Sequence, residues 1–236
     1  MFEAGIQYSL KKILKFAIIL LGISINLWQV LIIGGKSLIG ILTVVILGIF
    51  LTVFVGRWLR LPGNTPLLVG VGTAICGATA IATVSPILKS KEEETALAVT
   101  TIFIFNAIAI VVYPFLGMGF NMSDEIFGMW AGIAIHDTSS VVAAAYAYSD
   151  QAGQTATVVK LTRTLFLLPV AIIIGIYSSV KAKHGIQARQ KTGVKLKGIF
   201  PWFLLGFLGM SVLNTLGLFS ENVVGTVTDV SKFMIV

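Results

Sequence analysis

The chain has 236 residues, 56% of them hydrophobic and only 11% charged, against about a quarter charged in an average soluble domain. Its net charge of +7 invites nucleic acid as a partner, but the lysines and arginines gather beside long apolar runs; that is the distribution of a membrane topology and excludes a soluble domain and a nucleic-acid binder. One cysteine, Cys76, rules out an intrachain disulfide, and with no metal-binding Cys/His spacing and no Gly-rich phosphate loop the sequence points to no metal, no cofactor and no enzyme.

In chain order, Met1–Lys15 is amphipathic and carries Lys11, Lys12 and Lys15 without a cleavage-site pattern. Spans are predicted at 13–33, 37–55, 66–88, 95–120, 126–149, 155–179 and 199–219, each long enough to cross about 30 Å of hydrocarbon at 1.5 Å per residue. A partial span at 223–236 is too short for that. Gly34-Gly35-Lys36 and Pro62-Gly63-Asn64 read as turns, Lys89–Glu94 as a charged loop, and Asn106 falls in the middle of the fourth span. The fold class is therefore all-α: one transmembrane domain over 1–236, a polytopic helix bundle with glycine-broken spans. If every span crosses fully, eleven lysines and arginines fall on one side and three on the other. The first side, with the Val180–Gly198 loop, is then cytoplasmic and Lys89–Glu94 lies outside. The lipid bilayer is the obligatory partner, and a homo-oligomer is allowed.

Two stretches carry the chemistry. Gly72–Ala82 reads GTAICGATAIA, with Gly77 at its centre. A break there would free the N–H groups of Ala78, Thr79 and Ala80 at a new helix start, an anion-binding feature that transporters place at mid-membrane, and makes Gly77, Ala78 and Thr79 substrate-binding candidates. The same composition also fits a small-residue packing face, with Gly70, Ala74 and Ala78 at spacing four.

Ala134–Ser140 reads AIHDTSS. His136 and Asp137 point about 100° apart on a continuous helix and need a local break to face one site. Asp137 or Thr138 could then cap the following half-helix, with Thr138, Ser139 and Ser140 offering hydroxyls and N–H groups to a substrate. Ionisable groups inside a span are costly, and histidine titrates near neutral pH, so His136 and Asp137 are the proton-coupling candidates. The plainer alternative is an Asp that caps a kink and a His bonded to a carbonyl. Lys160 and Arg163 share a helix face, about 8–12 Å deep. They could bind an anionic substrate, pair with Asp137, or snorkel to the interface. A shift of sixty places sets Gly72 on Gly132, Ala74 on Ala134, Ile75 on Ile135, Thr95 on Thr155, Ala96 on Ala156 and Val99 on Val159, hinting at a duplicated unit.

GTAICGATAIA, SKEEETALA at Ser90–Ala98, YPFLG at Tyr113–Gly117, WAGIAIHDTSSVVAAA at Trp130–Ala145, ATVVKLTR at Ala156–Arg163, PWFLLGF at Pro201–Phe207 and FAIILLGISINL at Phe16–Leu27 together resemble the YeiH-type family of uncharacterised bacterial membrane proteins, which carry a sulfate-exporter label. The resemblance covers nearly the whole chain. It implies a multi-pass protein of the bacterial inner membrane, similar in fold to inverted-repeat sodium- or proton-coupled carriers, with further spans before Met1 and beyond Val236. The chain is accordingly expected to be truncated at both ends. The function expected from residues and resemblance is secondary transport of a small anion, such as sulfate or an organosulfur anion, by alternating access. The alternative is a non-transporting membrane protein or fragment acting as an assembly partner.

Overall fold

The computed structural model describes residues 13–183 and 202–235, so most of the Val180–Gly198 loop lies outside the described residues. Described residues in regular structure are helical throughout, and the apolar helices are those of a polytopic membrane protein.

Helix α1, Leu14–Leu21, continues as a 3-10 turn over Gly22–Ser24 and stops at extended Ile25. Asn26 starts the next helix with a capping box, its side chain accepting from the Trp28 N–H while Gln29 accepts from the Asn26 N–H. The first predicted span is thus broken in its second half. Helix α2 then runs unbroken through Leu27–Trp58, 32 residues, and the turn expected at Gly34-Gly35-Lys36 does not form. In lipid a chain that leaves the helix strands its N–H and C=O groups, which outweighs about 1 kcal/mol per glycine against alanine. Gly34 is used for packing instead: a Cβ there would lie 3.2 Å from Thr162 Oγ1.

The next two stretches, expected to cross fully, fold back as hairpins. Helices α3 (Thr65–Ala74) and α4 (Ala78–Leu88) have 10 and 11 residues, about 15–17 Å each. Their open ends meet, since Asn64 Nδ2 donates to Leu88 O at 3.4 Å. Helix α5, Glu92–Gly119, is 28 residues long and crosses the whole bundle. Helices α6 (Asp124–Ala134) and α7 (Thr138–Tyr148) form the second hairpin at the far end of α5. Phe127 stacks on Tyr148 with ring centroids 4.0 Å apart, and the Tyr148 hydroxyl donates to Met122 O. Helix α8, Asp150–Thr164, runs back inward and α9, Leu167–Lys183, carries the chain to the first end, where Ser178 Oγ donates to Ile87 O at 3.3 Å. The break at Leu165–Phe166 follows from Pro169, which lacks an N–H and whose ring would clash with the carbonyl of Leu165 in a continuous helix. Helix α10 (Trp202–Thr215) packs with α1 on the outer side of α8, through Leu204, Phe207, Ile18, Val158 and Leu161, and α11 (Glu221–Ile235) packs against α1.

A hairpin followed by a crossing helix therefore occurs twice, in opposite orientation, with the hairpin tips at 75–77 and 135–137. That is the sixty-place shift seen as geometry. It also moves a loop: Lys89 and Lys91 sit at the same end as Arg57, Arg60 and the close of α9, not opposite them. Lys36 remains at the other end, paired with Glu125 at 2.8 Å. Single cysteines at Arg60 and Lys91, in a Cys76→Ser background, should react with an impermeant maleimide from one side of the membrane, and cysteines at Asn121 and Gln151 from the other. Opposite labelling of Arg60 and Lys91 would restore one full crossing in place of the first hairpin.

Candidate functional site

The two hairpin tips meet at the centre of the bundle. Gly77 has φ +63° and ψ −130°, a conformation open in practice to glycine alone. A Cβ on it would lie 3.3 Å from Ile102 and 3.4 Å from the Cα and Cβ of Asp137. Gly77→Ala should therefore cost about 1–3 kcal/mol, read as a fall of several degrees in the melting temperature of the detergent-purified protein. An unchanged melting temperature would mean that the tip adopts another path.

Breaking a helix leaves its last carbonyls without N–H partners and its C-terminus with roughly half a negative charge. Here α3 and α6 both end at the tips, and two cations from α8 meet them. Lys160 Nζ donates to Ile75 O at 3.0 Å and to Ile135 O at 2.9 Å. Arg163 donates through Nε to Ala74 O at 2.7 Å, through Nη2 to Thr73 O and through Nη1 to Ile133 O. Both residues are 0% exposed. They neither snorkel nor, among the described residues, form an ion pair with Asp137. The structure thus shows neither the ion pair nor the snorkelling that the sequence left open; the cations tie the two hairpins to each other and to α8. The side of α6 that meets α8 is built for close approach. A Cβ at Gly128 would stand 2.7 Å from Ala152 O, and one at Gly132 2.8 Å from Val159.

The other two helix ends at the tips, the N-termini of α4 and α7, carry partial positive charge. Asp137 caps α7: its Oδ2 accepts from the Ser139 N–H at 3.1 Å and from the Ser139 hydroxyl. The break leaves Ile135 and Asp137 extended, so His136 and Asp137 come to the tip together. The His136 ring lies against the backbone of Thr73, and its Nδ1 is buried without a partner among the described residues. No side chain caps α4, which starts at Gly77, Ala78 and Thr79. Ser140 is buried, Ala78, Thr138 and Ser139 are partly buried, and Thr79 is exposed. The candidate residues on the tips are thus gathered at one place, while Lys160 and Arg163 stand behind it on the carbonyl side.

One residue of the site has only a position in the sequence argument. Asn106, mid-way along α5, accepts through Oδ1 from the N–H of His136 at 3.2 Å and of Asp137 at 3.3 Å. The signal for it is a lone carboxamide inside a long uncharged span. Among the described residues no group of three or more His, Cys, Asp or Glu side chains could hold a metal ion.

The family model described as conserved hypothetical protein 698 matches residues 1–236. A UPF0324 membrane protein from Clostridium tetani is 37% identical over 98% of this chain and 70% of its own length. One from Streptococcus pyogenes serotype M6 is 39% identical over 99% of this chain and 70% of its own; one from Streptococcus mutans is 40% identical over 91% and 64%. No solved structure matches the chain.

Proposed function

We propose, for a chain that belongs to the conserved hypothetical protein 698 family, the UPF0324 membrane proteins, the function of a secondary transporter of a small anion, driven by protons and working by alternating access. The supporting observation is the charge balance at the tips. The negative helix ends are already neutralised by Lys160 and Arg163, whereas of the positive ends α7 carries the single charge of Asp137 and α4 carries none. The net field between the tips favours an anion. In this reading Ala78, Thr79, Thr138 and Ser140 present N–H and hydroxyl groups to the substrate. Asp137 and His136 exchange the coupling proton, and Lys160 and Arg163 hold the site from behind without touching it. The end carrying Arg57, Arg60, Lys89 and Lys91 is cytoplasmic in a bacterial inner membrane, with the Val180–Gly198 loop on the same side.

The test is transport in proteoliposomes of this chain, and in parallel of the Clostridium tetani relative, with radiolabelled sulfate, thiosulfate, phosphate and chloride. The expected result is counterflow of at least one of these anions and its accumulation under an imposed pH gradient. Absence of counterflow for all four in both proteins would overturn the proposal and favour an assembly partner that transports nothing.

A further inference from the structure

The carboxamide of Asn106 is used on one side only. Its Oδ1 accepts two backbone N–H groups at the tip of the second hairpin, from His136 and Asp137. Its Nδ2, with two hydrogens to give, is buried and has no partner among the described residues, in a residue only 3% exposed. The orientation is set by chemistry, because only the oxygen can face two N–H donors. Buried polar groups in native proteins nearly always find a partner, and the exceptions cluster where a protein has a task for them. A purely structural post at this position would be complete with the oxygen alone. The side chain that carries the spare donor is anchored at the same tip as the start of α7, and the neighbouring His136 Nδ1 is also buried without a partner among the described residues. Two independent features, an unpartnered buried donor and a helix N-terminus, thus converge on one point.

We infer that Asn106 is a substrate-contacting residue of this carrier: its Nδ2 donates to the anion held between the starts of α4 and α7, while its Oδ1 keeps the second hairpin tip in place. The inference rests on the anion-carrier reading. It adds α5, the crossing helix of the first repeat, to a site otherwise made of hairpin tips. It also gives the site a directional donor, and a neutral N–H aimed at one ligand atom separates anions by the placement of their acceptors.

The test is equilibrium binding of radiolabelled sulfate and radiolabelled phosphate to the purified chain by scintillation proximity, together with melting temperature. Asn106→Asp keeps an oxygen towards both N–H groups and replaces the donor by an acceptor. It should weaken binding by about tenfold or more, the size expected for a lost hydrogen bond to a charged group, with little change in melting. The relative affinity for the two anions should change as well, which a merely structural role would not cause. If Asn106→Asp melts far below the wild type, Asn106→Ala takes its place, since it lacks the Nδ2 donor and brings neither a charge nor another donor to the site. Wild-type affinity in whichever variant melts normally overturns the assignment of Asn106 and leaves the carrier reading intact. So does low melting in both variants, which would make Asn106 a residue of the fold alone. Failure of the wild-type chain to bind either anion counts against the carrier reading itself, and Asn106 falls with it.

Discussion

Arg163→Leu is expected to remove most of the folded protein. The guanidinium meets three backbone carbonyls, of Thr73, Ala74 and Ile133, from the interior of the bundle with no exposure at all. Leucine would fill much of the space and leave all three acceptors unpaired, at about 1–3 kcal/mol each. The sum approaches the net stability of a typical domain, about 5–15 kcal/mol, and water is not at hand to repair the loss. Arg163→Lys should fall between, because an ammonium is a point charge and cannot reproduce a planar fork that spans two hairpins. Lys160→Met strands two carbonyls, those of Ile75 and Ile135, so it should be milder than Arg163→Leu. The measurement is the monodisperse yield and melting temperature of the detergent-purified variants. Wild-type yield and melting in Arg163→Leu, with anion binding lost, would show that Arg163 serves the ligand and not the hairpins.

The part of this site legible in the sequence was the part written in side chains. Gly77 marked one break, and the adjacent His136 and Asp137 marked the other, since neither pattern suits an unbroken span. The return of each hairpin was not legible. Pro66–Leu88 and Ile126–Ser149 have the length and polarity of full crossings, and a stretch that turns back has the same composition as one that continues. Only the closure of Asn64 on Leu88 and of Tyr148 on Met122 separates the two cases, and the topology of the Lys89–Glu94 loop went with it. Gly34-Gly35-Lys36 misled for a related reason: turn chemistry learned in water loses weight where the helix is the cheapest way to satisfy the backbone. Lys160 and Arg163 were recognised as deep cations, but their partners are carbonyls. Every residue has a carbonyl, so no letter of the sequence announces which ones will be free. The sixty-place repeat, weak as six matches among apolar residues, gains its meaning from the opposed orientation of the two hairpins.

The second large effect should separate function from stability. Asp137→Asn keeps the cap of α7, because asparagine is as good an N-cap as aspartate. An amide oxygen can accept from both the N–H and the hydroxyl of Ser139, as the carboxylate does. The melting temperature should therefore stay within about 2–4 °C of the wild type, the shift that roughly 1 kcal/mol produces at this chain length. Asp137→Ala, by contrast, removes the cap and should cost about 0.5–2 kcal/mol. What asparagine cannot do is bind and release a proton. In the proposed carrier, accumulation driven by a pH gradient should be abolished in Asp137→Asn, while counterflow of the bound anion continues. The charge around the site works in the same direction: Lys160 and Arg163 stay in place behind the tips, so the loss of the one capping carboxylate leaves the region more positive and should hold an anion more tightly. Counterflow and gradient-driven uptake of labelled sulfate, measured side by side in proteoliposomes of the wild type and Asp137→Asn, read both effects. If gradient-driven accumulation survives unchanged, Asp137 is only a helix cap, and the proton-coupling role passes to its neighbour His136, which does not hold the hairpins.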